Sequence, residues 1–124
     1  MSDAPPIEIK LRTRSACLQL TYASGECHKL SFEYLRVNSP SAEVRGHGAG
    51  QAVLQHGKKN VRITRIDPVG HYALKLVFSD GHNSGLYTWA YLHALGAEHD
   101  ARWPQYIHDL DNAGLSREPA KPAE

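Results

Sequence analysis

Cysteine is scarce in this chain: Cys17 and Cys27 are the only two in 124 residues, and they form no Cys-x-x-Cys pair. That spacing rules out a disulfide framework, and free thiols suit a reducing compartment. Long apolar runs are missing too. None approaches the ~18 residues that cross a bilayer, and the opening MSDAPPIEIK has no basic stretch leading into an apolar core. A cytoplasmic protein without membrane attachment is expected. Net charge is nearly absent, with 14 Lys and Arg against 13 Asp and Glu, so no overall field recruits nucleic acid or an anionic membrane. The densest basic stretch, HGKKNVRITR, gathers Lys58, Lys59, Arg62 and Arg65 but lacks the interleaved aromatics that stack bases. It is read as a solvated hairpin edge.

Catalytic signatures are missing as well. The chain has no Gly-x-Ser-x-Gly elbow, no Gly-x-x-x-x-Gly-Lys phosphate loop and no Gly-x-Gly-x-x-Gly fingerprint. Its eight histidines invite a metal hypothesis, yet none is followed two residues later by Asp or Glu, the spacing that announces an iron-binding facial triad. They are scattered singly, at 28, 47, 56, 71, 82, 93, 99 and 108, and each is read as a surface or satisfied polar group. No cofactor is expected.

What is present is alternation. IEIKLRT (7–13) and ACLQLTY (16–22) place apolar side chains at every second position, as half-buried strands do, and CHKLSF pairs back after the Ser24-Gly25 turn. Ser31 is placed to cap a short helix through FEYLR. A second hairpin follows in VRITRIDPV and YALKLVF, with its break of phase assigned to Asp67-Pro68. After Asp80-Gly81 an extended piece enters a helix over YTWAYLHALG that is expected to stop at Gly96. A last helix covers ARWPQYIHDLDNAG, with Pro104 in its first turn and Gly114 past its end.

Laid side by side, LQLTYASGECHKLSFEYL (18–35) and LKLVFSDGHNSGLYTWAYL (74–92) share Leu-x-Leu, an aromatic, a turn and a closing Tyr-Leu, with one residue inserted after the turn. The expected fold is therefore α+β: a mainly antiparallel sheet built from two strand-turn-strand-helix units, with helices packed on one face. A single domain over 1–115 is expected, with a polar, Pro-rich disordered tail over 116–124. In this duplication Leu18, Leu20 and Tyr22 would match Leu74, Leu76 and Phe78, all facing the core.

The stretch LRVNSPSAEVRGHG (35–48) is where scaffold patterning stops. It is long for a connection and mixes two guanidinium groups, a carboxylate, two hydroxyls and an imidazole. Arg36 and Arg45 could clamp an acidic group, Glu43 orient them, and His47 add sensitivity to pH near neutrality.

LTYASGECHKLSFEYLRVNSPS followed by LVFSDGHNSGLYTWAYL resembles the gamma-butyrobetaine hydroxylase-like N-terminal domain family, and within it the stand-alone bacterial proteins of unknown function. The likeness runs from about Ile7 to about Leu95. In the hydroxylases the first unit ends in Trp-Leu-Arg-Asp and then Cys-x-Cys-x-x-Cys, and a histidine in the second unit completes a structural zinc site. Here Leu35 and Arg36 match, Ser39, Ser41 and Val44 stand where the cysteines would be, and His82 matches the histidine. The resemblance thus implies an accessory domain that has lost its zinc, without the separate oxygenase domain that does the chemistry. Related domains also accompany iron–sulfur cluster carrier ATPases.

These observations favour a non-enzymatic binding or adaptor module whose partner is another protein, not nucleic acid or a membrane. The binding residues expected are Arg36, Ser39, Ser41, Glu43, Arg45, His47 and His82. No metal is expected; if one is held, His82, His47 and Cys27 are the candidates, in a metal or iron–sulfur assembly role. The third alternative is a small-molecule enzyme with Arg36, Glu43 and His82 around a cleft.

Overall fold

The computed structural model describes residues 4–41, 44 and 53–119. Strands β1 (Glu8–Arg12), β2 (Cys17–Thr21) and β3 (Cys27–Ser31) lead into helix α1 (Phe32–Val37). Strands β4 (Ile63–Val69), β5 (Ala73–Phe78) and β6 (Leu86–Thr88) lead into α2 (Trp89–Ala97), and α3 (His99–Ala113) follows. The strands form two antiparallel sheets of three, in the orders β1-β2-β3 and β4-β5-β6, where the sequence suggested one. Each sheet is a meander whose third strand runs directly into a helix. The cap is equivalent in both: the Ser31 hydroxyl accepts from Tyr34 N–H and the Thr88 hydroxyl from Tyr91 N–H.

The six residues of the expected duplication, Leu18, Leu20, Tyr22, Leu74, Leu76 and Phe78, are all buried in one cluster shared by both sheets and by Tyr34, Leu35, Leu92 and Leu95 of the helices. The units are tied by a reciprocal exchange. Tyr34 Oη of α1 donates to the Leu95 carbonyl of α2 at 2.6 Å, and Tyr91 Oη of α2 donates to the Asn38 carbonyl that ends α1. Tyr87 Oη adds a bond to the Leu35 carbonyl at 2.6 Å.

Four expectations are corrected. The phase break in β4 falls between Ile63 and Arg65, where a bulge shifts the register, and not at Asp67-Pro68, which pair regularly with Lys75 and Leu74. Helix α2 runs through Gly96 to a cap at Glu98. The glycine serves packing, because a Cβ there would lie 2.5 Å from the His28 ring. Helix α3 begins at His99, so Pro104 lies inside it and not in its first turn, while Gly114 ends it in the left-handed conformation at φ 69°. The expected tail is docked at its start: Gly57 N–H donates to Ser116 O at 2.8 Å, and Arg117 clasps the buried Glu33 with two bonds of 2.9 and 2.7 Å. A buried carboxylate needs such a partner, which composition could not reveal. Residues 120–124 lie outside the described residues.

Candidate functional site

After α1 the chain turns at Ser39-Pro40-Ser41 and meets the β5–β6 connection. Ser39 Oγ and His82 Nε2 are 2.8 Å apart, and Ser41 Oγ and Ser84 Oγ 2.7 Å. Ser39 is 1% and His82 6% exposed, so their bond forms in the interior, while that of Ser41 with the exposed Ser84 lies at its edge. Gly85 makes the approach possible, since a Cβ there would lie 2.4 Å from Ser39 Oγ and 3.1 Å from Pro40 Cδ.

Arg36 is also buried. Its Nε donates to Asp80 Oδ2 at 2.9 Å and its Nη1 to Gln55 Oε1 at 3.1 Å. Lys58 Nζ reaches the same Asp80 oxygen at 2.7 Å, and His82 N–H donates to Asp80 Oδ1 at 3.2 Å. Burial pushes the Asp80 carboxyl up, but Lys58, the His82 N–H and Arg36 together outweigh it and hold the group down at about 2. The carboxylate is therefore charged at neutral pH, as the buried guanidinium requires.

The residues singled out from the sequence thus separate. Arg36, Ser39, Ser41 and His82 converge on one corner, where they hold two chain segments together from the inside. Glu43, Arg45 and His47 lie outside the described residues. Cys27 is exposed at the start of β3, with its sulfur 3.8 Å from Thr21 Oγ1, and joins no group of possible metal ligands among the described residues. Asp80, Lys58 and Gly85 were not among the expected site residues: Asp80 stands in a turn, Lys58 in the basic stretch assigned to a hairpin edge, and no local signal marks Gly85. Each member of the basic stretch has a local partner, a carboxylate for all but Arg62. Lys58 bonds Asp80, Lys59 bonds Glu118 at 2.8 Å, Arg65 pairs with Asp67 at 2.9 Å, and Arg62 reaches the Thr13 carbonyl and lies over the Phe32 ring.

Beside the corner, the end of α1 and α3 flank a cleft of about 540 Å³. Val37, Leu54 and Tyr106 supply apolar lining, and Asn38, Gln55 and Arg102 polar lining. Tyr106 Oη donates to the Gln55 carbonyl at 2.9 Å, and Arg102 donates to Glu98 at 2.9 Å and to Asn38 Oδ1 at 3.3 Å while lying over the Tyr91 ring. Val44 and Val53, which flank residues 45–52, also line it, and the Val53 N–H donates to the Val44 carbonyl at 2.7 Å.

Fold and corner together define a small α+β module of two repeated units. The family model for the gamma-butyrobetaine hydroxylase-like N-terminal domain matches residues 9–93, and the chain belongs to that family. No curated protein sequence matches. An NMR solution structure of one protein is 47% identical, with a TM-score of 0.82 over 96% of this chain and 94% of its own. A second NMR structure is 46% identical, with a TM-score of 0.80 over 99% and 92%. A crystal structure of a DUF971-family protein of unknown function from Acidithiobacillus ferrooxidans is 39% identical, with a TM-score of 0.66 over 79% and 99%.

The structural zinc that the hydroxylases carry at the matching position does not fit the donors found at this corner. The hydroxyls of Ser39 and Ser41 keep their protons at neutral pH and already bond His82 and Ser84. Val44 offers no donor.

Proposed function

We propose that this chain is a non-enzymatic binding module of the cytosol, and that its partner, another protein, seats a short segment in the cleft between the end of α1 and α3. The observation that carries this reading is the cleft itself. It joins apolar walls from Val37, Leu54 and Tyr106 to the Arg102 guanidinium, a pairing that suits an apolar side chain beside an acidic group. Glu98 and Asn38 engage only part of the five N–H donors of Arg102. Arg36, Ser39, Ser41 and His82 support this surface from behind by fixing the turn that leads into it, and Arg45 and His47, outside the described residues, are assigned to partner binding on their chemistry alone.

A photo-crosslinking residue at Gln105, on the cleft rim, tests the reading in native lysate against the same residue at Arg65. One discrete adduct is expected from Gln105 and none from Arg65. The adduct should be competed by unlabelled protein, lost with R102E and weakened by R45A/H47A. Equal labelling from both positions, or an adduct indifferent to R102E, overturns the reading.

A further inference from the structure

The two-unit architecture gives the corner at Ser39 and His82 a counterpart. Alignment of the units through their shared turn and cap puts Glu26 where His82 stands, His28 where Gly85 stands and His93 where Arg36 stands. There the first unit's hairpin meets the second unit's helix. At the counterpart the side chains are of a different kind: His28 Nε2 and His93 Nε2 each lie 3.0 Å from the same oxygen, Glu26 Oε2. One ligand atom from each of the three residues falls within 4.8 Å of the others.

From this geometry we propose that Glu26, His28 and His93 bind a divalent transition-metal ion of the zinc type. Two imidazoles and one carboxylate form a donor set that zinc accepts with a further position left open. Two ligands at about 2.1 Å from a tetrahedral ion lie roughly 3.4 Å apart, so the two 3.0 Å contacts to Glu26 Oε2 need to open by only a few tenths of an ångström to admit one. The donors are held in place before any ion arrives. Glu26 ends a closed turn, in which Tyr22 N–H donates to its carbonyl at 2.9 Å and its own N–H donates to Ser24 Oγ at 3.3 Å. The His28 ring rests on Gly96, where a Cβ would leave it no room. His93 comes from α2 and faces Tyr22 edge-on, with ring centroids 5.3 Å apart. Side-chain exposures of 20% for His93 and 21% for His28 leave the trio open to an arriving ion.

An independent observation comes from Tyr22. This residue is 6% exposed and packs edge-on against both imidazoles, and its hydroxyl has no hydrogen-bond partner among the described residues. A buried hydroxyl in that state needs an explanation, and water carried by a bound ion is a partner of the right chemistry. The site uses no residue of the cleft, so it stands or falls apart from the binding-module reading.

The test is titration of the full chain, without a histidine tag, with zinc chloride alone by calorimetry, and with cobalt chloride by visible absorption. One ion per chain is expected. E26Q, H28A and H93A should each weaken binding about tenfold or more, while H71A and H108A leave it unchanged. Imidazole NMR signals of His28 and His93 should move with zinc while that of His82 does not, which covers a variant that fails to fold. Absence of saturable binding overturns the proposal and leaves a carboxylate–imidazole hydrogen-bond cluster only. Binding that survives E26Q and H93A, or that moves His82, also overturns it.

Discussion

A single hydroxyl oxygen carries much of the corner. Ser39 is buried and bonded to His82 at 2.8 Å, and a net contribution of about 1 kcal/mol is typical of such a bond. Ser39→Ala should therefore lower the melting temperature by roughly 4 °C. Thermal and urea melts check this, and an unchanged midpoint would show that the corner is held without the Ser39 hydroxyl, by the bonds to Asp80 and between Ser41 and Ser84. At this scale the sequence was legible where a residue acts on its near neighbours, as with the Ser31 cap. Asp80 was not, because nothing in Ser-Asp-Gly marks an ion pair with a guanidinium 44 residues away. The trio at Glu26 escaped for a related reason. A search for His-x-Asp or His-x-Glu passes over the reversed order Glu26-x-His28 and has no access to the third donor, 67 residues further on.

Among the elements, the β5–β6 connection shows how backbone shape sets the site. Gly85 lets it press against the Ser39 turn, and the Cβ in Gly85→Ala would meet Ser39 Oγ at 2.4 Å. Since Ser39 is fully enclosed, the contact has to be relieved by moving the turn, at a cost of about 2 kcal/mol. The expected outcome is a lower denaturant midpoint with an unchanged slope. Full stability would mean that the two segments part without penalty. Strand and helix types were legible from period and caps, since these signals repeat within a few residues. Details that depend on neighbours were not. The bulge after Ile63 answers to its pairing with β5, and Gly96 lies inside α2 where the His28 ring takes the space of a Cβ.

For the whole molecule, the apolar cluster shared by both sheets joins the two units, and the exchange between Tyr34 and Tyr91 adds to that joint. Each hydroxyl crosses to a carbonyl of the other unit's helix region, and the main apolar cluster is shared by both sheets. Tyr34→Phe and Tyr91→Phe should each cost about 1 kcal/mol, and unfolding followed by near-ultraviolet and far-ultraviolet circular dichroism should still coincide in the double variant. Two separated transitions would show that the units fold independently. Burial lifts the Tyr34 phenol to about 12, as befits a hydroxyl enclosed between helices.

The sequence by itself determined the class of fold, the repeated strand-turn-strand-helix unit, most strand positions and both serine/threonine helix caps, because these follow from contacts a few residues apart. Through Leu35, Arg36 and His82 it also carried the family. Tertiary structure alone decided that the strands divide into two sheets, that Arg117 folds back on Glu33, that Asp80 holds Arg36, and that Glu26 and His28 meet His93. Each of these joins residues far apart in the chain. Such contacts are set by which buried surfaces fit together and by the need to partner every charge they enclose, and neither condition leaves a mark in local spacing.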